Sequence, residues 1–227
     1  NLSAFGTDND LESTSGHILI KHSAWVVAEP DRNEVLPKSD EARDATPPVG
    51  PIGVGPDFLL PPAVVIGRLH DRRHAFRPQS LVNVSALSFG ALGPNAIEAL
   101  NSGVALAGCM QNTGEGGLTE YHRQGGDLIF QMGTGYFGCR DESGRFNLER
   151  LEESVAGAPV RMIEIKLSQG AKPGHGGILP AAKVTQEVAR VRGIPAFQDS
   201  ITSPRHSAFH DVPTLIDFIE RIAERTG

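Results

Sequence analysis

The chain has 227 residues, of which 39% are hydrophobic, and a formal net charge of −6. This length and apolar content suit one or two domains with a real core, and the acidic balance offers no basic surface for nucleic acid. The longest apolar runs are short and interrupted by prolines, so the sequence predicts neither a membrane-spanning helix nor a signal peptide.

The first 80 residues are predicted to form a separate, proline-rich segment. Nine of the sixteen prolines lie at or before Pro78. Because proline fixes φ and removes a backbone donor, residues 1–80 are expected to form loops and short strands that wrap over another part of the protein. Residues 81–227 have a different pattern, in which apolar strands alternate with amphipathic helices.

The first strands of this second region are predicted from short apolar runs. Two single strands are predicted at 81–86 and 109–112. Residues 127–139 and 145–147 are predicted to form a hairpin around the turn at 141–144. Between the first two strands, Gly93-Pro94 opens a helix that Gly108 ends.

The later elements continue the alternation of strands and helices. Asn147 is predicted to cap a helix, and a strand follows at 160–167. A helix over 184–192 ends at Gly193. The last helix, over 212–225, has a predicted buried stripe of Leu215, Ile216, Ile219, Ile222 and Ala223. Repeated strand–helix units indicate a parallel sheet with crossover helices.

The strand at 160–167 brings charged side chains to a glycine-rich loop. Alternation places Met162, Glu164 and Lys166 on one face of this strand. Lys166 lies at its end, and Gln169 and Lys172 follow on the loop. Parallel-sheet and barrel enzymes present polar groups to anionic ligands in this way, at the carboxyl ends of their strands.

Three sequence blocks identify a family resemblance. They are Ser85-Ala-Leu-Ser-Phe-Gly90, Asn112-Thr-Gly-Glu-Gly-Gly117 and Lys166-Leu-Ser-Gln-Gly-Ala-Lys-Pro-Gly-His-Gly-Gly-Ile-Leu-Pro180. Together with Arg192 and the Ser203-Pro204 turn, they resemble the flavin-binding synthase domain of glutamate synthases over about residues 80–227. The variant of the third block that contains His175 is similar to the stand-alone branch of this family.

The resemblance implies an α/β fold of the (β/α)₈ TIM-barrel type found in FMN-linked oxidoreductases. Such a barrel takes about 250 residues, whereas residues 81–227 supply three or four barrel strands. We therefore expect the first part of a barrel, incomplete in this chain. The start at Asn1 rather than Met suggests a processed or truncated chain.

The resemblance also implies a set of site residues. The expected FMN-binding residues are Ser85, Ala86, Leu87, Ser88, Asn112, Thr113, Gly114 and Lys166. The expected catalytic residues are Lys166, Glu115 and Gln169. Gln169, Lys172 and Arg192 are expected to bind the substrate, because a dicarboxylate such as 2-oxoglutarate is best held by two separate cations.

Each of these residues also has a purely structural interpretation. Glu115 suits a tight turn with a solvated carboxylate, and the small residues of the 85–90 block suit close helix–strand packing. Glu164 and Lys166 suit a solvated pair on a surface strand, and Arg192 suits a cation at a helix C terminus.

Some positions depart from the family pattern. Ile178 stands where large glutamate synthases carry a glutamine that touches substrate, and Thr134-Gly-Tyr-Phe-Gly138 stands where they carry Ser-Gly-Arg-Phe-Gly. Both changes are interpreted as the loss of a polar side chain that could reach the substrate. His175 is predicted to lie on the loop surface. His206 and His210 are not predicted to bind metal, because no carboxylate or cysteine completes a ligand set.

Cys109 and Cys139 are the two cysteines of the chain, too few for a disulfide framework or a metal site. They are expected to be buried or half-buried thiols in a reducing cytoplasm, so the predicted location is cytoplasmic. By resemblance, the cysteines of an iron–sulfur cluster would lie outside residues 1–227 of the complete protein.

The leading interpretation is an FMN-dependent, glutamate-synthase-like oxidoreductase. By resemblance it converts a 2-oxo acid, 2-oxoglutarate, to glutamate with ammonia or another amine donor and a separate electron donor. One rival is a truncated, non-catalytic barrel module that assembles with itself as a homo-oligomer or with a complementing chain. Another is a flavin- or anion-binding protein without reductase activity.

Overall fold

The structure is a computed structural model that describes residues 65–170 and 173–227. Its helices are α1 (Pro94–Ala107), α2 (Leu148–Val155), α3 (Gln186–Arg192) and α4 (Val212–Thr226). Its strands are β1 (Met110–Asn112), β2 (Asp127–Met132), β3 (Val160–Ile165), β4 (Ile178–Leu179) and β5 (Ser200–Ile201). Single 3₁₀ turns lie at Arg68–His70, Gly114–Gly116, Glu120–His122 and Ala181–Lys183.

A parallel sheet organises the described residues, as predicted. The strand order is β1-β2-β3, and both strand pairs are parallel. β4 and β5 form a separate antiparallel pair in the loops that follow β3. The sheet and its crossover helices give a mixed α/β architecture.

The predicted first strand, 81–86, is reduced to one parallel bridge between Val84 and Gln111. Val84 N–H donates to the Met110 carbonyl, and Asn112 N–H donates to the Val84 carbonyl. Before this point the chain turns locally, because the Ser80 hydroxyl bonds both the carbonyl and the N–H of Val82. These local bonds take the backbone groups that a longer strand would have used.

The predicted hairpin was wrong for most of its length. β2 ends at Met132 and lies between two parallel neighbours, so its edges are already paired. The expected pairing survives as one antiparallel bridge between Arg140 and Phe146. The chain leaves β2 through a turn in which Tyr136 has a φ of 50°.

The helix termini follow the sequence signals. Asn147 caps α2, since its side chain accepts from Arg150 N–H at 2.8 Å. Gly108 follows α1 with a φ of 64° and Gly193 follows α3 with a φ of 65°, the left-handed conformation that glycine adopts without strain. These predictions are confirmed because they depend on residues next to one another in the chain.

The predicted buried stripe of α4 was partly wrong. Phe218 and Ile222 are buried, whereas Ile216 and Ile219 are 52% and 41% exposed. Residues four apart lie above one another on a helix, so 218 and 222 form one row. The Phe218 ring packs edge-on against Phe146 at 4.8 Å, and this aromatic contact rotates the buried face away from 216 and 219.

The sheet separates an apolar outer side from a mixed inner side. Alternation along β2 sends Phe130 and Met132 outward into a core with α2 and α4. Ile129 lies on the inner side, where it packs with Phe76 and Met110.

Cys139 is buried in the outer core and Cys109 is half-buried, and both are free thiols, in agreement with the sequence. Burial raises the pKa of Cys139 to about 12.

A fully buried histidine makes stability depend on pH. His122 is 0% exposed, and its Nδ1 accepts from Thr119 N–H at 3.2 Å. Burial lowers the pKa of His122 from 6.5 to about 4. The folded protein therefore holds this imidazole neutral, while the unfolded chain takes up a proton as the pH falls below its ordinary pKa of about 6.5.

The free energy of unfolding is expected to fall between about pH 6.5 and pH 4, by on the order of 3 kcal/mol from this group. Urea unfolding at several pH values measures this loss. His122→Asn should flatten the pH dependence of the free energy of unfolding. His206 adds a smaller loss in the same direction, because burial also lowers its pKa. If the free energy of unfolding of His122→Asn depends on pH as in the wild type, His122 is not the group responsible.

Candidate functional site

Three of the predicted site residues form a closed polar cluster. Lys166 Nζ lies 2.8 Å from Glu115 Oε1 and donates to Gln169 Oε1 at 2.9 Å. Gln169 Nε2 donates to both oxygens of Glu115, at 2.9 and 3.1 Å. Each side chain therefore contacts the other two. We call Lys166, Glu115 and Gln169 the Lys–Glu–Gln cluster.

The carboxyl ends of two strands bring this cluster together. Lys166 directly follows β3, and its N–H donates to the Met132 carbonyl of β2 at 3.0 Å. Glu115 lies in the 3₁₀ turn that follows β1, and its N–H donates to the Ser88 hydroxyl at 3.0 Å. Parallel strands end at the same edge of a sheet, so residues 51 positions apart in sequence become neighbours.

Lys166 and Glu164 have separate partners. Lys166 pairs with Glu115, whereas Glu164 Oε1 accepts from Asn112 Nδ2 at 3.1 Å and from Gln131 Nε2. Glu164 thus belongs to a polar layer beneath the Lys–Glu–Gln cluster. The interpretation of Glu164 and Lys166 as a solvated pair with each other was wrong.

Two glycines allow the 85–90 block to lie directly on the 112–117 block. A Cβ on Gly114, which has a φ of 65°, would lie 2.6 Å from the Ser88 nitrogen. A Cβ on Gly116 would lie 2.5 Å from the Phe89 carbonyl oxygen. Close packing is therefore one role of the small residues in these blocks. It fixes the turn that carries Glu115.

Glycines also allow the Glu115 carboxylate to lie close to the backbone on two sides. A side chain at Gly133 would collide with the Glu115 carboxylate. A Cβ at Gly177 would lie 3.4 Å from Gln169 Nε2 and 3.5 Å from Glu115 Oε1. Bare backbone at both positions therefore lets the cluster pack directly against the chain, and the Lys166 and Glu115 side chains stay 25% and 17% exposed.

The residues expected to bind FMN differ in accessibility. Ser85 and Leu87 are exposed, and Ala86 and Ser88 are half-buried. Asn112, Thr113 and Gly114 are buried, and Lys166 is half-buried. Asn112 Oδ1 accepts from Gly114 N–H at 3.0 Å, and Thr113 Oγ1 donates to the Gly114 carbonyl at 3.1 Å. These buried side chains shape the turn, and the 85–88 stretch supplies its accessible rim.

Arg192 is engaged inside the protein. It is 6% exposed, donates from Nη2 to the Phe89 carbonyl at 3.0 Å, and lies over the Phe137 ring at 4.8 Å. Burial lowers the pKa of Arg192, and the charge of Glu115 opposes that shift. Its expected role in binding a carboxylate stays a prediction. Lys172, the other expected cation, lies outside the described residues.

The departures from the family pattern occupy different places around the site. Tyr136 is buried in the outer core. Thr134 Oγ1 donates to Thr202 Oγ1 at 3.1 Å, and Thr202 Oγ1 accepts from Gly177 N–H at 2.8 Å. His175 is exposed, as predicted.

Sequence reasoning missed the contact of His206 with the cluster. His206 is buried and its Nε2 lies 2.9 Å from the Lys166 carbonyl oxygen. Its position near the Ser203-Pro204 turn was the available signal, but the sequence carried no sign of a partner 40 residues away.

Over residues 65–170 and 173–227, no three potential metal ligands come together. None of the helices in those ranges has the length and apolar character needed to cross a bilayer.

The sequence is similar to that of known proteins over most of its length. The family model of the conserved region in glutamate synthase matches residues 57–226. The glutamate synthase large subunit-like protein YerD of Bacillus subtilis (strain 168) is 42% identical over 176 residues, which are 76% of this chain and 33% of YerD.

More distant relatives carry the name of the enzyme. The archaeal-type glutamate synthase [NADPH] of Thermotoga sp. (strain RQ2) is 35% identical over 146 residues, 64% of this chain and 26% of that protein. The archaeal glutamate synthase [NADPH] of Methanocaldococcus jannaschii is 34% identical over the same shares. This chain thus spans a third or less of the curated relatives it matches. With a family match over most of its length, the chain belongs to the glutamate synthase family.

Proposed function

We propose that the complete protein is an FMN-dependent oxidoreductase of the glutamate synthase type that reductively aminates a 2-oxo acid, with 2-oxoglutarate as substrate and glutamate as product. The observation that carries this proposal is the Lys–Glu–Gln cluster at the carboxyl edge of a parallel sheet, in a chain of this family. A cytoplasmic location is part of the proposal, since both cysteines are free thiols.

The residues present fit a flat cofactor with polar edges. The Lys166 and Glu115 side chains are 25% and 17% exposed, so the cluster is open to a ligand, and the partly exposed 85–88 stretch adjoins it through the Ser88 hydroxyl. FMN would be held by this stretch, by the turn at 112–114 and by Lys166. When bound, FMN supplies the hydride for reduction of the substrate.

Lys166 is suited to stabilise negative charge on a substrate oxygen. An ammonium group has three N–H donors. Lys166 donates to Glu115 and Gln169, so one N–H remains for a substrate carbonyl. Positioned donors of this kind stabilise charge that develops in a transition state.

Glu115 and Gln169 hold Lys166 in place and present acceptors of their own. Gln169 donates to both carboxylate oxygens of Glu115, which fixes the plane of that carboxylate. A planar carboxylate in a partly enclosed site binds an amine donor such as ammonia through N–H···O contacts. Arg192 and Lys172 remain the proposed partners of the substrate carboxylates.

Purification of the complete protein with its natural cofactor tests this function. We expect stoichiometric flavin absorbance and formation of glutamate from 2-oxoglutarate and ammonia in the presence of a reductant. Stoichiometric flavin without product would favour a flavin-binding protein without reductase activity. A protein without flavin would favour the non-catalytic barrel module.

Ile178 is expected to weaken recognition of 2-oxoglutarate. It lies in β4, paired with Ile201, and is 61% exposed. An apolar side chain offers no hydrogen bond to a polar ligand group, and an unpaired group costs about 1–3 kcal/mol. Ile178→Gln should therefore lower the Kd for 2-oxoglutarate about tenfold, as measured by calorimetry.

The matched control for this change is Ile201→Gln. Ile201 is the register partner of Ile178 and is 70% exposed, so it tests the effect of adding an amide to this strand pair. It should leave the Kd unchanged. An unchanged or weaker affinity in Ile178→Gln would show that the substrate binds elsewhere.

A further inference from the structure

The phenol oxygen of Tyr136 has three polar neighbours. The backbone N–H groups of Ser207 and Ala208 donate to it at 3.0 and 3.1 Å, and His206 Nδ1 lies 3.0 Å away. A phenol oxygen carries one proton and accepts through its lone pairs. Since both backbone groups donate to this oxygen, its own proton must be donated to His206 Nδ1.

This donor count fixes the tautomer of His206. Nδ1 accepts from Tyr136, so the ring proton is on Nε2, which lies 2.9 Å from the Lys166 carbonyl oxygen. A carbonyl oxygen only accepts, so the Nε2–H group must donate to it. Both hydrogen bonds require the same neutral form. Burial lowers the pKa of His206, although the Lys166 carbonyl and the Glu115 charge oppose that shift.

The backbone of Lys166 is consequently held on both sides. Its N–H donates to the Met132 carbonyl of β2 at 3.0 Å, and its carbonyl accepts from His206. The two peptide groups that flank a residue fix the direction of its Cα–Cβ bond, from which the side chain extends. Beyond Lys166 the chain leaves the sheet, so His206 replaces the strand neighbour that would otherwise fix this carbonyl.

We propose that Tyr136 and His206 are positioning residues for Lys166. Tyr136 orients the imidazole of His206, and the imidazole fixes the Lys166 carbonyl, so that the ammonium group reaches Glu115 and Gln169. The effect on turnover rests on the proposed function of the Lys–Glu–Gln cluster. The effect on the position of Lys166 rests on the described contacts alone.

The competing interpretation is that Tyr136 and His206 only anchor the loop before α4. Both interpretations expect Tyr136→Phe to lower stability, because Ser207 and Ala208 lose their shared acceptor. They differ in what happens to Lys166 in the molecules that remain folded. The reactivity of the Lys166 amine towards acetic anhydride, measured by peptide mass spectrometry on the complete protein, separates them.

Positioning by Tyr136 predicts about fivefold faster labelling of Lys166 in Tyr136→Phe, the change expected when one ordinary hydrogen bond no longer holds the ion pair. It also predicts a lower kcat with an unchanged KM. The matched control is Tyr121→Phe, which removes a phenol that donates to Glu187 at 2.6 Å on another part of the molecule. That control should leave the labelling of Lys166 as in the wild type.

Two substitutions at His206 give a second test. His206→Gln can still donate an N–H to the Lys166 carbonyl, whereas His206→Leu cannot. Slow labelling in the first and fast labelling in the second supports positioning. Wild-type labelling rates in the folded fractions of both Tyr136→Phe and His206→Leu overturn it. Labelling needs no turnover, so a wild-type protein that forms no glutamate contradicts the proposed function and leaves this comparison valid.

Discussion

Replacing Lys166 with alanine is expected to abolish turnover of the complete protein while leaving its fold intact. Lys166 is half-buried at the end of β3 and is the cation of the Lys–Glu–Gln cluster. Its removal takes away the ammonium group that can stabilise charge on the substrate. Loss of one such donor lowers kcat by about 100- to 1,000-fold.

Lys183→Ala is the matched control for this experiment. Lys183 is exposed in the 3₁₀ turn after β4, so its loss removes one lysine charge without touching the cluster. Circular dichroism and the midpoint of urea unfolding establish that both variants are folded. Near-normal reduction of the oxo acid by Lys166→Ala would remove Lys166 from the catalytic site.

A companion change tests the partner of Lys166. Glu115→Gln keeps the size of the side chain but removes the charge that pairs with the ammonium group at 2.8 Å. If the two residues act as a unit, the double variant should lose little more activity than Lys166→Ala alone. If the losses of activation free energy in the two single variants add up in the double variant, the two residues act independently.

The helix caps and the position of β3 were predicted from sequence because they depend on neighbouring residues, although β3 ends at Ile165 and not at the predicted Leu167. Asn147 caps α2 through the N–H of a residue three positions on. The alternation of 160–167 placed Glu164 and Lys166 on one face, and both contribute to the polar layers at the site. Local pattern therefore indicated where polar groups reach the edge of the sheet.

The partners of these polar groups were not predicted because they come from distant parts of the chain. Lys166 and Glu115 are 51 residues apart, and Tyr136 and His206 are 70 apart. Their proximity follows from the order and register of the strands, which alternation alone does not specify. The ordered motifs of the family placed Lys166 and Glu115 at one site and the Ser203-Pro204 turn beside His206, but they did not predict the contact of His206 with Lys166.

The hydrophobic stripe of α4 shows a related limit of sequence patterns. Ile216 and Ile219 fit the periodicity of a buried face, yet Phe218 and Ile222 are the residues that pack on the core. A helix with apolar residues on adjacent faces has more than one possible buried side. Contacts with Phe146 and Phe209 decided between them.

Ile219 of α4 lies beside an open part of the sheet. Within the described ranges, β3 is hydrogen-bonded to β2 on one edge and has no strand on the other. A cavity of about 970 Å³ lies along β3, between α4 and residues 66–76. Its apolar lining includes Phe76, Met162, Ile163 and Ile219.

A polypeptide of residues 1–227 is therefore expected to self-associate. The predicted wrapping role of the proline-rich segment falls mostly on residues 1–64, which lie outside the described residues. An unpaired strand edge is a template for pairing with another chain, and apolar cavity walls add to that tendency. The same polypeptide should bind FMN weakly, because the phosphate site of such barrels is usually built after strands seven and eight. Sedimentation over a range of protein concentrations, with and without FMN, measures both properties.

Two substitutions locate the surface responsible for self-association. Ile219→Lys places a charge at the wall of the cavity and should shift the polypeptide towards the monomer. Leu106→Lys adds the same charge on α1, where the side chain is already 87% exposed, and should change nothing. A wild-type monomer that binds FMN with micromolar or tighter affinity would show that these residues form a complete flavin site. Equal effects of both substitutions would instead indicate that net charge, rather than the edge of β3, controls association.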